Sequence, residues 1–156
     1  MTRFLLMFSA ALAFSAAASA QSYTNVLDGG VTQIVSSAWT TNTIVVGATT
    51  PNNALGLFDG ARVTNVTSTI GAGPAADSNI VSLNGDAAWT MSGDLVVGDE
   101  GSDNVLLVTD GATLETADAF VGATAGAFSN AVSVEAARWD VDGTLEIAGA
   151  NDNIVV

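Results

Sequence analysis

The sequence predicts an all-β chain, a parallel β-solenoid of about five coils with about 25 residues in each. Three observations point to it. Trp39, Trp89 and Trp139 are spaced 50 and 50 residues apart, and self-similarity at a fixed period is the mark of stacked repeats. A phrase of asparagine followed by alternating apolar residues begins at Asn53, Asn79, Asn104 and Asn130 and restarts at Asn153, at intervals of 26, 25, 26 and 23. A second phrase, apolar-any-apolar-glycine, ends at Gly47, Gly71, Gly98 and Gly122.

In chain order, the first element is an export signal. Arg3 is the one charge in residues 1–20, an apolar run extends from Phe4 to Phe14, and Ala18-Ser19-Ala20 closes the segment. An apolar run this short does not span a bilayer, and the small-residue tripeptide reads as a cleavage site. Cleavage after Ala20 is expected to leave 136 residues (156 minus 20), exported from the cytoplasm. The remainder, 21–156, reads as one repeat domain with units at about 25–52, 53–78, 79–103, 104–129 and 130–152 and a partial unit at 153–156. Asn25 reads as a degenerate first copy of the asparagine phrase.

Each unit holds three stretches of four or five residues that alternate with period two, a strand signal. Between them lie turns at Asp28-Gly29, Asp59-Gly60, Asn84-Gly85 and Asp110-Gly111, with Glu135-Ala136 in the last copy. Glycine reaches positive φ freely, which suits such turns. Ala117–Gly126 is alanine-rich yet falls on the strand register. A sandwich of hairpins would also use short strands, but hairpins do not require side-chain identity to recur once per unit, as stacked coils do. In the solenoid, Leu55 and Leu57, Val81 and Leu83, Leu106 and Val108, and Val132 and Val134 face inward. The asparagines stack at a corner, and the tryptophans alternate with Val63 and Leu114.

Composition restricts function. Without the signal, Arg62 and Arg138 face 16 acids for a net charge of −14, and there is no lysine, histidine or cysteine. Two separated cations cannot make the patch that nucleic acid or anionic lipid requires. Disulfides and thiolate metal sites are excluded, and no second apolar segment is long enough to cross a membrane.

Residues 89–114 carry a likeness to a known family. Trp89, Ser92-Gly93, Leu95 to Gly98, Gly101-Ser102, Asn104 and Gly111-Ala112 follow the phrase of tandem repeats in bacterial autotransporter passenger regions, which the chain from Trp39 to Val156 resembles. The copies at Trp39 and Trp139 are looser, with Asn42 in place of Ser-Gly and Ala148 in place of the glycine after the strand. The resemblance implies a right-handed parallel β-helix, secreted or displayed at the cell surface or outer membrane, with an adhesive or structural role. It also implies a C-terminal barrel, which this sequence lacks, so the chain reads as a fragment. The partner implied is a surface or matrix ligand of unknown identity.

Chemistry is sparse. Without histidine or lysine, nucleophilic catalysis has only carboxylates as bases. Two carboxylates suffice for glycoside hydrolysis, and Asp140-x-Asp142 is a possible pair in the turn after Trp139. Arg62 and Arg138, as bases for a lyase, are placed in different parts of the repeat. Asp99, Glu100 and Asp103 lie within a glycine-containing loop, and carboxylates suit a hard cation, so they are the calcium candidates. The loop at 48–52 has no acids, and the recurring calcium signature is absent. Thr64, Thr67 and Thr69 resemble flat threonine arrays but do not recur at the repeat interval. The expectation is a non-enzymatic repeat region without cofactor; the alternatives are a carbohydrate-active β-helix enzyme fragment and a calcium-dependent binding module. If the chain is made as it stands, residues 153–156, an apolar strand phrase with no cap following, are expected to template end-to-end self-association. The alternative is truncation of a longer product, in which the next coil covers Val155.

Overall fold

A computed structural model describes residues 23–148 and 152–156; the export-signal reading falls outside them. The chain forms β1 (Thr24–Leu27), β2 (Thr32–Val35) and β3 (Ala38–Thr40), then β4 (Thr43–Val46), β5 (Ala54–Leu57) and β6 (Arg62–Asn65). It continues through β7 (Thr67–Ile70), β8 (Ile80–Leu83) and β9 (Ala88–Met91), and β10 (Leu95–Val97), β11 (Val105–Thr109) and β12 (Thr113–Thr116). The last elements are β13 (Ala119–Val121), β14 (Ala131–Glu135), β15 (Arg138–Val141), β16 (Leu145–Ile147) and β17 (Ile154–Val155).

Every third strand belongs to the same sheet. The first sheet runs β1-β4-β7-β10-β13-β16, the second β2-β5-β8-β11-β14-β17 and the third β3-β6-β9-β12-β15. All pairings are parallel. In the third sheet Ala38, Arg62, Ala88, Thr113 and Arg138 are successive partners, which gives steps of 24, 26, 25 and 25 residues. This is a three-sided parallel β-solenoid of about five coils, as the repeat predicts. No described residue is helical, and Ala119–Val121 is strand.

Alternation selects the inward side chains. Leu55, Val81, Leu106 and Val132 form one column and Leu57, Leu83, Val108 and Val134 the next. All are essentially sealed from solvent except Val134, which is partly buried against the same core. Burying each such side chain stabilises the coil by about 1.5–3 kcal/mol relative to exposure. On the third sheet the inward column reads Trp39, Val63, Trp89, Leu114, Trp139. Large rings alternate with smaller side chains along this column, whose equivalent positions are about 4.8 Å apart.

The first coil corrects two readings. Asn25 lies on β1 opposite Ile44, in the first sheet, so it is not a copy of the asparagine phrase. Val31 holds the equivalent position, one residue before the Thr32–Ala54 pair. Asp28-Gly29 accordingly belongs to the corner between first and second sheets, not to the turn between second and third. At that second turn the equivalent positive-φ residues are Asp59, Gly85, Asp110 and Ala136, at φ 52, 61, 54 and 49. The Asn84-Gly85 turn is thus shifted by one residue from Asp59-Gly60. Its glycine, rather than its asparagine, takes the left-handed position.

Candidate functional site

The most organised polar structure is the corner between the first and second sheets. Asn53, Asn79, Asn104, Asn130 and Asn153 stack there and are buried. The Asn79 Oδ1 accepts the backbone N–H of Asn53 at 2.9 Å and its side-chain N–H at 2.9 Å. Asn104, Asn130 and Asn153 repeat this on the asparagine before each, at 2.8 to 3.1 Å. The first coil closes the row with backbone alone: Gly30 and Val31 N–H groups donate to Asn53 Oδ1. The residue preceding each asparagine is left-handed, as Asn52, Ser78, Asp103, Ser129 and Asp152 at φ 55 to 62. Short polar side chains tolerate that conformation best after glycine.

The two sequence phrases are one device. A Cβ built on Gly47 would lie 2.2 Å from the Asn79 amide nitrogen. On Gly71, Gly98 and Gly122 it would lie 2.1, 2.1 and 2.0 Å from Asn104, Asn130 and Asn153. Each glycine, itself at φ 73 to 77, leaves room for the asparagine amide one coil further on. No buried side-chain nitrogen or oxygen among the described residues lacks a hydrogen bond.

The calcium candidates have different surroundings. Asp103 is the left-handed residue before Asn104 and is exposed. The Asp99 carbonyl accepts a hydrogen bond from Thr124 Oγ1 at 2.6 Å, and Glu100 is exposed beside a shallow depression of about 350 Å³ that also meets Asp77, Ser102 and Phe128. Among the described residues no three histidine, cysteine or acidic side chains are grouped to hold a metal ion.

The two members of the carboxylate pair also differ in their surroundings. Asp140 is in β15, not in a turn, and its carboxylate pairs with the Arg138 guanidinium at 2.5 and 2.9 Å, while Asp142 is exposed in the turn that follows. Arg62 and Arg138 do not lie in different parts of the repeat. They share one column of the third sheet, three coils apart, roughly 14 Å along the axis. Arg62 is engaged with the carbonyls of Gly60, Ala61 and Asp86.

The threonines do recur in register. Thr40, Thr64 and Thr90 are successive partners on the outer face of the third sheet, and Thr24, Thr43 and Thr67 on that of the first. Unequal turn lengths hide this in the sequence. Thr69 stands in a different column, between Val45 and Val96. The second sheet's outer face carries no charge apart from Glu135 at its rim; Ile34, Ile80, Leu107 and Ile154 stand there among small residues.

One functional-looking residue escapes the sequence reading. Asp28 accepts the backbone N–H groups of Ala48, Thr49 and Thr50 at 2.9 to 3.2 Å and both threonine hydroxyls at 2.7 and 2.6 Å. The hydroxyls of Thr50 and Thr49 above all, with the backbone donors, hold its carboxyl far below the usual carboxylate range. Its place beside an Asp-Gly turn signal disguised this role. Compared with known proteins, the chain matches no family model, no curated protein and no solved structure.

Proposed function

We propose that this chain is an exported, non-catalytic repeat domain, similar to an autotransporter passenger, that acts as a structural and adhesive element on a bacterial surface. One observation carries the reading: the residues that recur are spent on stacking. The asparagines, glycines and tryptophans lie in corners or core. The outer faces carry mostly small, threonine or aliphatic side chains, with Arg62, Glu115, Arg138 and Asp140 on the third sheet and Phe120 and Glu146 on the first. The carboxylate proposed for glycoside chemistry, Asp140, is paired with Arg138, which disfavours the enzyme alternative. The nearly uncharged outer face of the second sheet offers the surface for contact with a neutral, extended ligand. On this reading the signal is removed after Ala20 and the solenoid is right-handed.

The test has three readouts. Intact mass of exported material should begin at Gln21; a retained Met1 overturns export processing. Purified protein should release no reducing sugar from a polysaccharide panel, and turnover of any member overturns the non-catalytic reading. Immobilised surface and matrix polymers should capture wild type better than Leu107→Lys, which adds a charge to the outer face without touching the core. Equal capture, with the variant's fold unchanged by circular dichroism, rejects that face as the adhesive surface.

A further inference from the structure

Asn84-Gly85 is the only Asn-Gly step in the sequence. It occupies the turn between β8 and β9, Asn84 is exposed, and a Cβ on Gly85 would meet no atom within 4 Å. The ladder asparagines are the contrast. They are buried, their amides are held from both sides, and Ala, Ile or Val follows them. We propose that Asn84 is a covalent modification site at which the chain deamidates spontaneously through a succinimide.

The chemistry needs only water. The Gly85 backbone nitrogen loses its proton to solvent base and attacks Asn84 Cγ, forming the ring C–N bond. The Cγ–Nδ2 bond then breaks and ammonia leaves. Water adds at either ring carbonyl and opens the succinimide to aspartate or isoaspartate, so one water enters, one ammonia departs and nothing is oxidised. Glycine permits the step because no side chain shields its nitrogen, and the open space around Gly85 lets the turn rearrange.

The location gives the change a consequence. Asn84 Nδ2 donates to Asp110 Oδ2 at 3.1 Å and to Thr109 Oγ1 at 3.3 Å, tying one coil to the next. Conversion replaces the donor with a carboxylate facing Asp110, and like charges directly opposite one another across strands are destabilising. Isoaspartate also adds a methylene to the backbone immediately after β8, in the turn that leads to β9 and its fully buried Trp89. The modification loosens the middle of the stack while every ladder asparagine is spared.

The full protein, incubated at mildly alkaline pH, is followed by peptide mapping for the amide-to-acid mass change and for isoaspartate. The Asn84 peptide should convert several-fold faster than those holding Asn53, Asn79, Asn104 or Asn130; equal rates overturn the proposal. Gly85→Ala is expected to fold, because Ala136 occupies the equivalent turn position at φ 49, and to slow conversion several-fold. An unchanged rate in that folded variant also overturns it. Asn84→Asp should lower the urea midpoint, and an unaltered midpoint rejects the loosening of the stack.

Discussion

Single residues couple coils here through shared hydrogen bonds rather than through charge. Asn104 accepts two bonds from Asn79 and donates two to Asn130. Asn104→Ala takes the acceptor from the buried Asn79 backbone N–H and one of two donors from Asn130 Oδ1, which keeps the Asn104 backbone N–H. A buried group left unmet costs about 1–3 kcal/mol, beside the lost side-chain bonds. A urea titration should show roughly 2–5 kcal/mol lost. Asp28 is different, a half-buried carboxylate gathering five donors from the second coil. Its folded pKa is depressed, so its contribution is complete above the unfolded carboxylate value, near pH 4, and is lost progressively as pH falls below that. Wild type should therefore lose stability on acidification in this range faster than Asp28→Asn does, read from unfolding midpoints at a series of pH values.

At the scale of elements, turns and strands set limits on each other. The turn between β14 and β15 places alanine at φ 49 where Gly85 sits in an earlier coil. A left-handed non-glycine residue costs about 1–2 kcal/mol, partly offset by the larger unfolded-state entropy of glycine. Ala136→Gly should raise stability by roughly 0.5–1 kcal/mol in the same titration. The third sheet's inward column is constrained in the opposite direction. Leu114 is buried between Trp89 and Trp139, and Trp89 Nε1 donates to Asn65 Oδ1 at 2.7 Å, which fixes its ring. Leu114→Trp overpacks that level and should cost at least about 1–3 kcal/mol, with loss of the near-ultraviolet tryptophan signal.

At the scale of the whole molecule, the described coils form one stack whose last strands carry exposed apolar side chains. Leu145, Ile147 and Ile154 are 41, 38 and 49% exposed on the last strands of two sheets, so the edge anticipated at 153–156 extends over the first sheet as well. The described strands number seventeen, two more than five full coils. A second copy in register on the first and second sheets leaves the third one strand short. That contact does not close, and open heterologous contacts grow rather than stop at a dimer. Salt should therefore promote polydisperse association by screening the net negative charge. Light scattering of purified 21–156 over a salt series checks it. Ile154→Lys should suppress the effect, and a monodisperse monomer at every salt concentration contradicts it.

The sequence by itself determined the fold class, the coil length, the inward ladders, the asparagine stack and the tryptophan alternation. Those features are legible because stacking equivalent positions copies a chemical requirement onto residues about 25 apart. Only the tertiary structure decided what unequal turns conceal. It put Val31 rather than Asn25 at the head of the asparagine row. It placed Arg62 and Arg138 in one column and aligned Thr40, Thr64 and Thr90 across coils. It also joined the glycine and asparagine phrases, since the contact between Gly71 and Asn104 spans 33 residues (104 minus 71) and appears only when one coil lies upon another. The candidate site turned on a nearer boundary: Asp140 reads as a turn acid paired with Asp142 in sequence, and its place on β15, where residues two apart leave the same face, brings it to Arg138 instead. Register is a sum over every turn length before it, so a residue's neighbour along the axis is fixed by the folded stack and not by the local pattern.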